Sequence, residues 1–123
     1  MAHLCFRCLT AYADDLEQIA GGCTTCSGVL FVKIHSTKTA RLRPHIEQAG
    51  LEAKYALHEA IEEALGADLD AEGIAVLDLD TLENSADGYQ ALVVQRLNGG
   101  GMRRAVLEEE PTLALFASVL QKP

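Results

Sequence analysis

Cys5-Phe6-Arg7-Cys8 and Cys23-Thr24-Thr25-Cys26 decide how the front of this chain folds. They contain all four cysteines of the 123-residue sequence, with residues 9–22 between them. Two residues between cysteines let one tight turn present two thiolates to a single ion, and a second such turn completes a tetrahedral shell. The spacing predicts a structural Zn2+ held by Cys5, Cys8, Cys23 and Cys26. Four sulfurs leave no coordination position for substrate or water, so a catalytic role for the metal is not expected. Gly21-Gly22 and Gly28 flank the second turn, where unusual backbone angles are needed. The first turn has Leu9 where glycine is frequent.

Two rival readings use the same cysteines. As thiol redox pairs they should sit near a β-α-β pattern, and none is read around them. As disulfides they should follow a signal peptide, but Met1 leads directly into the first pair.

Residues 1–35 are too few to build an apolar core without help, and a bound metal would supply the missing stability. The expected organisation is a zinc ribbon over 1–35, a polar linker over 36–45, and a helix plus β-meander module over 46–123. Hydrophobic residues make up 49% of the chain, which argues against disorder. No stretch approaches the ~20 apolar residues of a membrane span, and a cytoplasmic location is expected. Net charge is −8. Residues 1–45 carry five basic and three acidic residues, whereas residues 46–123 carry five basic and fifteen acidic ones. Nucleic-acid binding runs on Lys and Arg neutralising phosphates, so the larger part of the protein should repel them. Arg7, Lys33, Lys38, Arg41 and Arg43 form the one plausible nucleic-acid footprint, set against the plainer reading of a solvated basic linker.

Residues 3–12 read as the first hairpin arm, and Val29-Leu30-Phe31-Val32-Lys33-Ile34 as the ribbon's last strand. Pro44 suits the first turn of a helix. From Ile46 to Leu65 the apolar residues 46, 49, 53, 56, 57, 60, 61, 64 and 65 form one helical stripe, with a break or kink at Gly50 and a stop at Gly66. Strands are predicted over Ile74–Asp80, Tyr89–Leu97 and Met102–Leu107, with a polar connection over Thr81–Gly88 and a tight turn at Asn98-Gly99-Gly100-Gly101. Pro111 should open a last short helix carrying Leu113, Leu115, Phe116, Val119 and Leu120. The fold class is α+β: an N-terminal four-cysteine zinc ribbon, an amphipathic helix, and a small antiparallel meander with a C-terminal helix, the helices covering one face of the sheet.

Other constellations are weaker. Gly99-Gly100-Gly101 before Arg103-Arg104 lacks the Lys-Ser/Thr of a phosphate loop. His58-Glu59-Ala60-Ile61-Glu62 lacks the second histidine of a zinc peptidase, and His58 with Glu62 reads as an i, i+4 surface pair. Asp78 and Asp80 share one side of a strand, where a solvated edge is the simpler reading. His3, His35 and His45 are scattered near the ribbon, where four cysteines already suffice. No serine stands with a histidine and an acid, and no enzyme activity is expected.

The stretch Met1-Ala2-His3-Leu4-Cys5-Phe6-Arg7-Cys8 through Tyr12-Ala13-Asp14, with Gly22-Cys23-Thr24-Thr25-Cys26-Ser27-Gly28-Val29-Leu30-Phe31, resembles the archaeal OapC/ArvC-like zinc-ribbon proteins. Gly73-Ile74-Ala75-Val76-Leu77-Asp78-Leu79-Asp80-Thr81-Leu82 and the strand, glycine turn and strand from Asp87 to Leu107 look similar to that family's C-terminal part. The likeness covers about half of the chain, and it lacks the segment from Glu108 to Pro123. It implies association with a small Ras-like GTPase and a partner protein, and no catalytic residues. The combined reading is a non-enzymatic zinc-binding adaptor or assembly subunit that self-associates, since a small sheet with an open edge invites pairing. The alternatives are a nucleic-acid-binding accessory and a thiol redox protein.

Overall fold

The structure is a computed structural model, and it describes residues 2–13, 19, 21–66, 69, 73–85, 88–97, 99–108, 113–114 and 116–117. The elements are β1 (Ala2–Cys5), β2 (Ala11–Ala13), β3 (Leu30–Ile34), α1 (Thr39–Leu65), β4 (Gly73–Ser85), β5 (Gly88–Leu97) and β6 (Met102–Leu107). The class is α+β, with one long helix on a six-stranded mixed sheet of order β2-β1-β3-β4-β5-β6.

The N-terminal strands and the meander do not form separate sheets. β3 and β4 pair in parallel, with Leu30 opposite Ala75 and Val32 opposite Leu77, and every other pairing is antiparallel. Parallel strands need a crossover connection, and α1 supplies it. A β-α-β unit is therefore present, contrary to the sequence expectation. The cysteine pairs precede β3, however, and neither sits at the start of α1. The seam's signal lies in two continuous apolar runs, Val29–Val32 and Ile74–Leu77, which mark strands covered on both faces. Phe31, Val32, Ala75 and Leu77 are fully buried.

α1 begins within the expected linker, since a 3-10 turn at Ser36–Lys38 leads straight into it. Pro44 thus lies inside the helix and not in its first turn. Gly50 breaks the helix at φ 81° and ψ −179°, a conformation essentially confined to glycine. Gly66 closes it in the left-handed region, its N–H bonding the Glu62 carbonyl at 2.8 Å. Leu42 and Ile46 before the kink, and Leu57, Ile61 and Leu65 after it, face the sheet's main core. Leu4, Val32, Ile34, Ala75, Leu77 and Val93 meet them there.

Of the expected polar connection over Thr81–Gly88, the described residues Thr81–Ser85 and Gly88 instead continue the β4–β5 hairpin. Pairing resumes at Glu83–Gln90 after a register shift that starts at Asp78. The shift is held locally. The Asp78 carboxylate accepts the Asp80 N–H at 3.0 Å, and the Thr81 hydroxyl donates to the Asp78 carbonyl at 2.8 Å. Gly73 opens β4 at φ 128°, so close to the Arg96 carbonyl that a Cβ there would collide with it. The Gly99–Gly101 segment turns the β5–β6 hairpin, with Gly100 and Gly101 both at φ 91°. The expected C-terminal helix falls mostly outside the described residues. Leu113, Ala114, Phe116 and Ala117 are helical, and the Phe116 ring meets Phe6 edge-on at 6.1 Å.

Candidate metal centre

The two C-x2-C segments fold into the same turn. In the first, Leu9 N–H donates to the Cys5 carbonyl at 2.8 Å and Cys5 N–H to the Thr10 carbonyl at 2.9 Å. In the second, Ser27 N–H donates to the Cys23 carbonyl at 2.8 Å and Cys23 N–H to the Gly28 carbonyl at 2.8 Å. Leu9 and Ser27 occupy equivalent positions and are the described non-glycine residues with positive φ, at 67° and 63°. Such a backbone costs ~1–2 kcal/mol for a residue with a Cβ.

The sulfurs of Cys5, Cys8, Cys23 and Cys26 all lie within 4.8 Å of one another. Two contacts cross between the turns, Cys5 to Cys26 at 3.6 Å and Cys8 to Cys23 at 3.5 Å. A tetrahedron with metal–sulfur arms of about 2.3 Å has sulfur–sulfur edges of about 3.8 Å. The cluster therefore has the dimensions of a four-thiolate metal site. Among the described residues it is the one group of three or more His, Cys, Asp or Glu side chains placed to hold an ion. Asp78 and Asp80 make no such group with other described residues, and His3, His35 and His45 stand outside the cluster.

The surroundings favour thiolates unevenly. Burial pushes the Cys5 thiol far up, outweighing the backbone N–H groups of Cys8 and Arg7. Cys23 is also penalised by burial, but the Tyr12 hydroxyl and the N–H groups of Cys26 and Thr25 bring it down to about 6. Burial likewise opposes ionisation at Cys8, where the Thr10 hydroxyl and N–H prevail and lower it. At Cys26 burial prevails over the Gly28 N–H, and the thiol is raised. To hold all four as thiolates at these distances, the site would need a cation among them.

Sequence reasoning gave Tyr12 and Thr10 no role at the sulfurs. The Tyr12 hydroxyl lies 3.1 Å from Cys23 Sγ, accepts the Thr24 N–H at 3.2 Å, and its ring meets Phe31 edge-on. Thr10 Oγ1 lies 3.1 Å from Cys8 Sγ. Such outer partners orient the ligands of a metal. Their signal was a hydroxyl two residues after Cys8 and a tyrosine two further on. Gly28 packs directly on the cluster, since a Cβ there would sit 3.2 Å from Cys26 Sγ and 3.3 Å from Cys5 Sγ.

The five basic residues of the expected footprint are spread over the fold. Arg7 is on the first metal turn and Lys33 on β3, while Lys38 ends the 3-10 turn and Arg41 and Arg43 lie in α1. Arg7 and Lys33 line different clefts. His58 and Glu62 form the anticipated i, i+4 pair at 3.3 Å.

No protein-family model matches this chain, and no curated protein or solved structure matches it. No helix among the described residues is long and apolar enough to cross a membrane.

Proposed function

We propose that this chain is a non-enzymatic adaptor or assembly subunit built around a structural zinc ion, working with a small Ras-like GTPase system in the cytoplasm of an archaeon. The observation that carries the reading is the sulfur cluster, all four Sγ atoms mutually within 4.8 Å. A four-sulfur donor set suits Zn2+ and fills its shell, so the metal's work is to fix the backbone. The partner class comes from the resemblance of the cysteine segments to the OapC/ArvC-like proteins. Self-association through the β6 edge belongs to the same reading.

The test has two parts. Metal analysis of purified protein should give one zinc per chain, and metal-free protein with reversible disulfides would instead support redox work. Immobilised chain should then capture a small Ras-like GTPase from a lysate of its source, in a manner that depends on the bound nucleotide. Micromolar DNA or RNA affinity at physiological salt, falling steeply as salt rises, would replace the adaptor reading with the nucleic-acid one.

A further inference from the structure

A cleft of about 360 Å3 opens between the two metal turns and the second half of α1. Its base is apolar, with buried Phe6 from the first turn and buried Leu30 from β3. Its helical wall carries Leu51 and Tyr55, one turn apart and both 68% exposed. The large apolar side chains strongly exposed among the described residues are Leu51, Tyr55, Met102 and Val106, so half of them face this one depression. Both metal turns contribute to the rim, which makes the cluster the scaffold of the cleft.

The ionisable side chains that line it are all basic. Arg7, Lys54 and His58 line the cleft, and among the described residues no Asp or Glu does. His58 is already matched by Glu62, whose other carboxylate oxygen accepts the Leu69 N–H at 3.2 Å. Lys54 Nζ donates to the Arg7 carbonyl at 3.2 Å, which pins the ammonium at the rim with donors to spare. The Arg7 residue is exposed. A positive, apolar depression thus sits on a chain whose net charge is −8.

We propose that this cleft docks an acidic peptide segment of the partner protein, with one large apolar side chain between Leu51 and Tyr55 and flanking carboxylates on Arg7 and Lys54. The proposal rests on the adaptor reading and narrows it to a surface and a ligand chemistry. An apolar anchor with a few charged contacts is how helix faces and grooves take peptides. Nucleic acid fits less well, because a long polyanion needs many cations and would run onto the acidic remainder of the chain.

The experiment is a fluorescence-anisotropy titration of the zinc-loaded full chain. The probe is a fluorescein-labelled peptide of glutamates around one central phenylalanine. Saturable binding is expected, weakened ~10-fold or more by Arg7→Glu and ~5-fold or more by Tyr55→Ala. Arg104→Glu, at an exposed position on β6, should bind as the unaltered chain does. Zinc content and amide spectra establish that each variant is folded. If Arg7→Glu does not fold, Lys54→Glu takes its place. Unchanged affinity in the Arg7 and Tyr55 variants, equal binding of a lysine-substituted peptide, or displacement of the probe by a short single-stranded DNA at lower concentration would each overturn the cleft assignment. Capture of the GTPase is scored on the same variants. Capture without peptide binding sinks the cleft and spares the adaptor reading, whereas peptide binding at the cleft without capture leaves the cleft and removes the GTPase.

Discussion

The two metal turns share a backbone and differ in almost everything else. In Cys5–Thr10 the side chains of Phe6 and Leu9 are buried in the main core. In Cys23–Gly28 the corresponding Thr24 and Ser27 are exposed, and Gly28 is pressed against sulfur. Each turn closes with the same pair of hydrogen bonds and the same positive φ at its fifth residue. Backbone bonding and a shared sulfur cluster therefore define the turn, while the intervening residues are free to serve either packing or solvent. One turn is knitted into the main core, and the other turns its intervening side chains to solvent.

The comparison can be broken most severely by taking the metal away. Structural zinc contributes ~10 kcal/mol or more in small peptides at neutral pH, similar to the ~5–15 kcal/mol that holds a whole domain. Cys5 and Cys23 also pack with Phe31, Ile74 and Val76 on the sheet face away from α1. Chelation or Cys23→Ser should therefore collapse the amide signals of Ile74–Leu77 together with those of residues 1–35. Survival of the β4–β6 signals would show that the chain divides into two units after all.

Next in size is Leu9→Gly. It relieves a left-handed leucine but strips a side chain that is only 8% exposed, so a net loss of ~1–2 kcal/mol in urea unfolding is expected. Gly28→Ala should follow, adding a methyl group against two sulfurs. About 1–2 kcal/mol of overpacking would appear as weaker metal affinity in competition with a chelator. Unaltered affinity would mean that the second turn can retreat.

Tyr12→Phe removes the hydroxyl beside Cys23 and should cost ~1 kcal/mol. The sign with pH is fixed. The hydroxyl favours the thiolate, so without it the Cys23 pKa rises from about 6 and protons displace the metal at a higher pH. An unmoved midpoint of metal release during acid titration would exclude that role. The smallest change is Ser27→Gly, which should stabilise by ~0.5 kcal/mol, because no buried side chain is lost with the strain. Opposite signs at residues 9 and 27 would confirm that the two turns are equivalent in backbone and unequal in packing.

Much of this was legible from residue types. Cysteine spacing located the cluster because a tetrahedral ion admits few chain paths. Gly50 and Gly66 marked the kink and the end of α1 because glycine is the residue favoured at their positive φ. The seam between β3 and β4 was not read. Two apolar runs separated by a helix fit two small sheets as well as one large sheet, and only long-range pairing distinguishes the cases. The start of α1 was also missed, since Thr39–Arg43 has too little apolar periodicity to be read apart from the buried Leu42. Tyr12 and Thr10 were given no role at the sulfurs because a hydroxyl becomes part of a metal site only when the fold carries it there.

The parallel seam also sets a timetable for synthesis. Leu30 must wait for Ala75, its partner across the seam, to leave the ribosome. At roughly 5–20 residues per second that delay is a few seconds. Through that interval the nascent front end has its hairpin and its four sulfurs but lacks its central neighbour. Early capture of a metal ion would keep it from aggregating until the rest of the chain emerges.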